Sequence, residues 1–210
     1  MVSRRAFSLI ELLAVIAIVA LLSALILSAV HGSKARVKDV TCSSQLKQIG
    51  IASVMFDGEE GKYPAAKMPN TNRFHSPLQP LLPIIGDTRV FLCPTDINRV
   101  RSASLNLLNR SNTSYFVSYT ARMDNPEAIL AGDRNVTWDG ALMTGANQFR
   151  RTNGFGWWRD MHRWKGNVLL SDASVRLTPT KQLAARIHNQ RTPTFDWYIP
   201  NGDVVITPSD

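Results

Sequence analysis

The chain has 210 residues, is 44% apolar, carries a formal charge of +8 and contains two cysteines. That length supports one long helix and one globular domain of ordinary size, and the absence of an internal period or biased tract leaves out repeat and low-complexity classes. The positive charge admits anionic lipid, acidic surfaces or nucleic acid as partners. The basic residues are scattered, however: Lys34, Arg36 and Lys38, then Arg99 and Arg101, then Arg150, Arg151, Arg159, Arg163 and Lys165. A solvated basic surface is therefore the simpler reading than a dedicated nucleic-acid face.

The first thirty residues organise the rest. Met1 to Ala6 form a short head carrying Arg4 and Arg5, and the run from Phe7 to Val30 holds a single ionisable side chain, Glu11. As a helix rising about 1.5 Å per residue, this run spans roughly 36 Å, enough for a hydrocarbon core of about 30 Å. It is longer than the apolar region of a secretory signal peptide, and no A-x-A-like cleavage site stands at its end. A plain signal anchor fits the length and the basic head but gives Glu11 no role. A carboxylate costs about 2.5–3.5 kcal/mol at the centre of a membrane helix and less near its end.

The string Arg5-Ala6-Phe7-Ser8-Leu9-Ile10-Glu11-Leu12-Leu13 resembles the class III leader of type IV pilins and type II secretion pseudopilins. The resemblance implies cutting by a prepilin peptidase between Ala6 and Phe7, N-methylation of Phe7, and Glu11 as the fifth residue of the mature chain. The family usually has Gly where this chain has Ala6. It further implies a bacterial inner-membrane subunit with one span and its C-terminal domain in the periplasm or outside the cell. An assembly platform would draw it from membrane lipid into a filament of pilin or pseudopilin subunits. In that filament Glu11 would pair with the Phe7 amine of a neighbouring subunit, because a buried carboxylate needs a cation.

Helical periodicity continues past Val30 to about Phe56, with Gly32 a candidate kink and Asp57-Gly58 the predicted break. Cys42, Leu46, Ile49, Ser53 and Phe56, spaced 4-3-4-3, predict one buried face. The predicted organisation is a leader over 1–6, a membrane or filament-core helix over 7–30, its amphipathic continuation over 31–57, and a β-rich globular domain over 58–210. The progression from Gln45-Leu46-Lys47-Gln48-Ile49-Gly50 to Tyr63-Pro64 is also similar to pseudopilins.

Pro77, Pro80 and Pro83 argue against a central strand near Leu78 to Ile85, leaving a loop with one short helix. Val90-Phe91-Leu92 reads as strand-like. The stretch Phe91-Leu92-Cys93-Pro94-Thr95-Asp96 resembles the LCP-[ST]-D element of bacterial pilin-like proteins. Cys42 and Cys93 read as one disulfide in an oxidising compartment, with two buried free thiols as the alternative. Ser114 to Thr120, Ala128 to Asp133, a hairpin of Asn167 to Leu170 with Ser174 to Leu177, and an edge strand over Asp203 to Thr207 are the predicted strands. The predicted class is α+β: a pilin-like long N-terminal helix packed on a C-terminal antiparallel sheet.

Candidates for chemistry are few. His162 and Asp172, with nine residues between them, resemble the H-x9-DG tail of bacterial pilin-like proteins, with Ala173 in place of Gly. They would be an acid/base pair if this were a signal-anchored enzyme, but a structural role in a loop and turn is the simpler reading. Trp157, Trp158 and Trp164 with Arg159 and Arg163 suit either a stacking surface for DNA or another ligand, as in a minor pilin, or packing against the long helix. Asp124, Asp133 and Asp139 are candidate oxygen ligands for calcium, which some pseudopilins hold in C-terminal loops, but the EF-hand spacing is absent. With no CxxC pair or histidine cluster, no metal or cofactor is assigned. Asn109, Asn112 and Asn135 begin glycosylation-type triplets. No G-x-S-x-G, P-loop, HExxH or dinucleotide-binding turn is present, so the predicted role is structural rather than enzymatic.

Overall fold

The computed structural model describes residues 8–67, 76–103, 108–122, 124–143, 145–149, 154–188 and 195–200. The chain divides into two compact units, 1–38 and 39–210. Helix α1 (Leu9–Glu60, 52 residues) contributes to both, and Gly32 lies inside it.

In the first unit the Glu11 side chain reaches back over the start of α1, one arm of a capping box. The Ser8 backbone N–H donates to Glu11 Oε2 (2.9 Å), while the Ser8 carbonyl accepts from the Glu11 and Leu12 amides (3.1 and 3.3 Å). Ser-x-x-Glu ahead of an apolar run is the sequence signature of such a start. From Leu9 to Leu27 the helix is long and apolar enough to cross a membrane, and its large apolar side chains are all exposed. Ser23 turns its hydroxyl back onto the Val19 carbonyl (2.7 Å), so this polar group adds no unpaired donor to an apolar surface.

In the second unit, Cys42, Leu46, Ile49, Ala52, Ser53 and Phe56 of α1 are buried, the face that the 4-3-4-3 spacing predicts. The helix does not break at Asp57-Gly58 but runs on to Glu60. Gly61 ends it, with φ of 68° and an amide bond to the Asp57 carbonyl (2.7 Å). A glycine inside a helix costs only about 1 kcal/mol, whereas the left-handed residue that closes a helix end is best supplied by glycine. Gly61, not Gly58, meets that demand.

Short elements follow. These are α2 (Pro64–Lys67), a 3₁₀ turn over Gln79–Leu81 running into α3 (Leu82–Ile85), and a 3₁₀ turn over Thr88–Phe91. The last replaces the predicted strand-like Val90-Phe91-Leu92. Asp87 accepts from the Arg89 amide (2.8 Å), capping a turn that buries Val90 and Phe91 without sheet pairing.

A six-stranded sheet, all of its pairs antiparallel, has the order β5-β9-β1-β2-β7-β8. The strands are β1 (Tyr115–Ser118), β2 (Ile129–Asp133), β5 (Gly145–Phe149), β7 (Lys165–Leu170), β8 (Val175–Pro179) and β9 (Phe195–Ile199). β3 (Val136–Trp138), β4 (Ala141–Leu142) and β6 (Phe155–Trp157) form a second, three-stranded sheet. Helix α4 (Thr180–His188) follows β8. The fold is α+β, a long N-terminal helix followed by an antiparallel sheet. The predicted β7–β8 hairpin forms, while the predicted strand over Asp203 to Thr207 lies outside the described residues.

Strand alternation sends side chains into two cores. Tyr115, Val117, Leu130 and Leu169 join the α1 stripe, with Phe91 and Cys93. Phe116, Ile129, Val168, Leu170, Trp197 and Ile199 join Val136, Phe155, Trp157 and the α4 residues Leu183 and Ile187. Phe116 stacks on Trp197 with ring centroids 4.5 Å apart. Trp157 thus packs with α4 residues, not on the long helix. Polar side chains fasten α1 to its sheet: Gln45 donates to the Arg89 carbonyl (3.0 Å) and accepts from the Tyr115 hydroxyl (2.9 Å), and Lys47 donates to the Ala173 carbonyl (2.8 Å).

Helix and sheet pack closely at Gly50. A Cβ there would lie 2.7 Å from Leu169 Cδ1 and 3.2 Å from the Ala173 backbone. Replacing Gly50 with Ala is expected to destabilise the fold by about 1–3 kcal/mol through overpacking, despite alanine's better helix propensity. Urea titration of wild type and variant in detergent checks this, and an unchanged midpoint would contradict the close contact.

Candidate functional site

The first site is the start of the chain. Ala6 and Phe7 lie outside the described residues. Glu11 is exposed, and its carboxylate turns back to accept from the Ser8 amide.

The second site is buried in the 39–210 unit, where the two motif resemblances meet. Cys93 comes from the Leu92-Cys93-Pro94-Thr95-Asp96 stretch and forms a disulfide with Cys42 on α1. His162, from the loop before β7, lies 3.3 Å through Nε2 from Cys93 Sγ and 3.4 Å from Thr95 Oγ1. The same Nε2 is 3.3 Å from Asp133 Oδ2, at the end of β2. The other ring nitrogen, Nδ1, is 2.8 Å from Asp39 Oδ1 on α1. The imidazole is thus held between two carboxylates from different elements, beside the covalent link. Its side chain is 1% exposed.

Asp133 is fully buried, and Oδ2 accepts from the backbone amide and the side-chain amide of Asn167. Burial raises its pKa from 3.8 to about 6, against the lowering influence of His162 and of the Asn167 bonds. Its other oxygen, Oδ1, is buried and has no hydrogen-bond partner among the described residues.

Asp96, three residues after Cys93, forms a two-pronged pair with Arg134: Nε to Oδ2 and Nη2 to Oδ1, both 2.6 Å. Arg134 also reaches Asp160 (3.4 Å), and Arg99 donates to the Pro200 carbonyl (2.9 Å). Buried charge survives only when matched in this way. These bonds anchor the Cys93 loop to the residues just after β2 and to the loop that carries His162.

His162 and Asp172 are not brought together. Asp172 is exposed, and its Oδ1 accepts from the Ser174 amide (2.8 Å); the nearby Ser174 hydroxyl, and less so this amide, lower its pKa. Ala173 takes φ of 61°, so the left-handed turn forms with alanine where the resembled motif has glycine. Of the calcium candidates, Asp124 is exposed beside Arg122 (3.7 Å), Asp139 is exposed, and only Asp133 is buried. Asn112 and Asn135 are buried, which removes them as glycosylation acceptors. Trp158 and Trp164 are partly exposed and edge-on to each other at 6.0 Å; Arg159 and Arg163 flank them in the chain and are also exposed. Asp39 and Arg134 are not singled out by the sequence, because each is a lone polar residue whose partner is distant in the chain, and Asp133 is singled out as a calcium candidate, not as a partner of His162.

Residues 1–27 match the family described as the prokaryotic N-terminal methylation motif. No curated protein and no solved structure matches the chain at a significant level. The motif and the apolar helix behind it fit a membrane-anchored chain of the type IV pilin or pseudopilin kind, a substrate of prepilin peptidase that assembles with other pilin subunits.

Two outcomes are expected of the buried site. Replacing both Cys42 and Cys93 with Ser should lower stability by about 4 kcal/mol, the chain-entropy value for a separation of 51 residues; denaturant titration measures it. For Asp133, the native pKa of about 6 lies above the unfolded value of 3.8. Its protonation therefore stabilises the fold below about pH 4, and that contribution is lost as pH rises through about 6. Asp133→Asn should remove this dependence, so that the stability difference between wild type and variant changes by on the order of 3 kcal/mol between pH 4 and 7. Parallel slopes for the two proteins would contradict it.

Proposed function

We propose that this chain is a structural subunit of a type II secretion pseudopilus or a type IV pilus-like filament. In this reading it is cut between Ala6 and Phe7, methylated on Phe7 and assembled through its N-terminal helix. The observation that carries the proposal is the methylation-motif match over residues 1–27, seated on an exposed apolar helix from Leu9 to Leu27. Glu11 is the residue proposed to direct assembly. In a bilayer it sits near the cytoplasmic end of the span, where Arg4 and Arg5 hold the head. In a filament core it needs a cation, and the methylated amine of Phe7 on the adjacent subunit supplies one. The organisation proposed is leader 1–6, core helix 7–30, its continuation, and a globular domain facing the periplasm or exterior. The assembly platform and prepilin peptidase are its inner-membrane partners, and no catalytic role is proposed for His162 or Asp172.

A second reading, a minor subunit that binds DNA or another ligand, is favoured by the exposed Trp158–Trp164 pair beside Arg159 and Arg163. Aromatic faces with neighbouring cations suit single-stranded nucleic acid. Salt-sensitive retention on immobilised DNA, lost when both tryptophans become alanine, would support it.

For the first reading, Glu11→Ala in the native host should leave the chain cut before Phe7 but reduce sheared filament material by more than about tenfold. Removing one partner of a buried ion pair costs about 3–5 kcal/mol, and each 1.4 kcal/mol is about tenfold. Undiminished filament recovery would remove Glu11 from assembly.

A further inference from the structure

Cys42, Cys93, Asp133 and His162 come from α1, the loop after the Thr88–Phe91 turn, the end of β2 and the loop before β7. Each offers one ligand atom, these atoms lie within 4.8 Å of one another, and all four residues are buried. Two sulfurs, an imidazole nitrogen and a carboxylate oxygen are a donor set that suits zinc. With metal–ligand bonds of about 2.0–2.3 Å, ligand atoms around tetrahedral zinc stand roughly 3.3–3.8 Å apart. Two of these edges already have such lengths: Cys93 Sγ to His162 Nε2, and His162 Nε2 to Asp133 Oδ2, both 3.3 Å.

Two independent observations point the same way. Asp133 Oδ1 is fully buried and has no hydrogen-bond partner among the described residues, a costly arrangement for a carboxylate oxygen that a cation at this carboxylate would relieve. Further, His162 directs Nε2 into the cluster while Nδ1 faces Asp39 Oδ1 at 2.8 Å. A carboxylate on the far nitrogen is the arrangement that fixes a histidine's tautomer and orientation as a metal ligand.

We propose that in the dithiol form of this protein Cys42, Cys93, Asp133 and His162 bind one zinc ion, with Asp39 positioning His162, and that the disulfide is the metal-free alternative of the same site. The chain is synthesised with two thiols. Zinc binding releases the two thiol protons and transfers no electrons. Disulfide formation releases two protons and two electrons, which pass to an oxidant of the protein-disulfide class, reduced in turn to a dithiol. The two outcomes exclude each other, because one uses the sulfur lone pairs for metal and the other uses the sulfurs for a covalent bond. Either one ties α1 to the Cys93 loop, so a subunit that has not yet met the oxidant still holds its helix to its sheet.

The test uses the full chain in detergent, reduced with a phosphine under anaerobic conditions and titrated with zinc or cobalt against a chromogenic chelator. The expected result is about one ion per reduced chain, with the visible absorption of tetrahedral thiolate-bound cobalt, and none for the disulfide form. Asp133→Asn and His162→Gln should each weaken affinity by more than tenfold. Asp39→Ala should weaken it by about 10–100-fold, with much of the loss restored in Asp39→Asn, which keeps an acceptor for Nδ1. Near-ultraviolet circular dichroism guards against metal capture by an unfolded chain: zinc should restore the native signal to any reduced chain that has lost it. Three results would overturn the proposal. These are no stoichiometric binding, binding unaffected by Asp133→Asn and His162→Gln, or binding without a native signal.

Discussion

The second half of α1 stays on its sheet because one buried cluster ties both ends of the contact. The disulfide joins α1 to the Cys93 loop, and His162 reaches Asp39 on α1 through one ring nitrogen and Asp133 on β2 through the other. Around these links, Leu46, Ile49 and Phe56 supply apolar burial, and Gly50 allows the close approach to Leu169 and Ala173. Apolar packing of a helix on a sheet is non-directional and would tolerate a slide by a turn. The covalent bond and these directional polar contacts select one register.

That fixed register matters for a subunit whose other half serves a different solvent. From Leu9 to Leu27, α1 presents apolar side chains on all sides, as suits lipid or the centre of a helix bundle. From Asp39 onward it has a single buried stripe and exposed polar residues. Glu11 stands in the first turn of α1 and accepts from the Ser8 amide, where a carboxylate also complements the helix dipole. In the proposed filament this carboxylate exchanges a local amide for an amine on a neighbour.

Much of this was legible because it is periodic or local. The stripe Cys42-Leu46-Ile49-Ser53-Phe56 repeats at helical spacing, and Ala128 to Asp133 and Asn167 to Leu170 are compact β-rich runs; all of these appear in the fold. What escaped the sequence reading has two physical origins. Some signals are local but weak: Ser8-x-x-Glu11 as a helix start, Gly61 as the helix stop, the Leu183 and Ile187 face of α4, and the alternation in β9. Others are long-range. Val90-Phe91-Leu92 has the composition of a strand, but the Asp87 cap and the Cys93 tether hold it near a turn. Nothing near Asp39, Asp133 or Arg134 in the chain announces that their partners lie beyond the next element. His162 was noticed for its spacing to Asp172, yet its partners proved to be Asp39, Asp133 and Cys93.

Whether this chain is a processed filament subunit is read from the mass of the N-terminal peptide of protein recovered from its native envelope. A processed subunit begins at N-methyl-Phe7. Assembled, functional protein that retains Met1 to Ala6, or a chain cut after about residue 30 as a secreted domain would be, would contradict it.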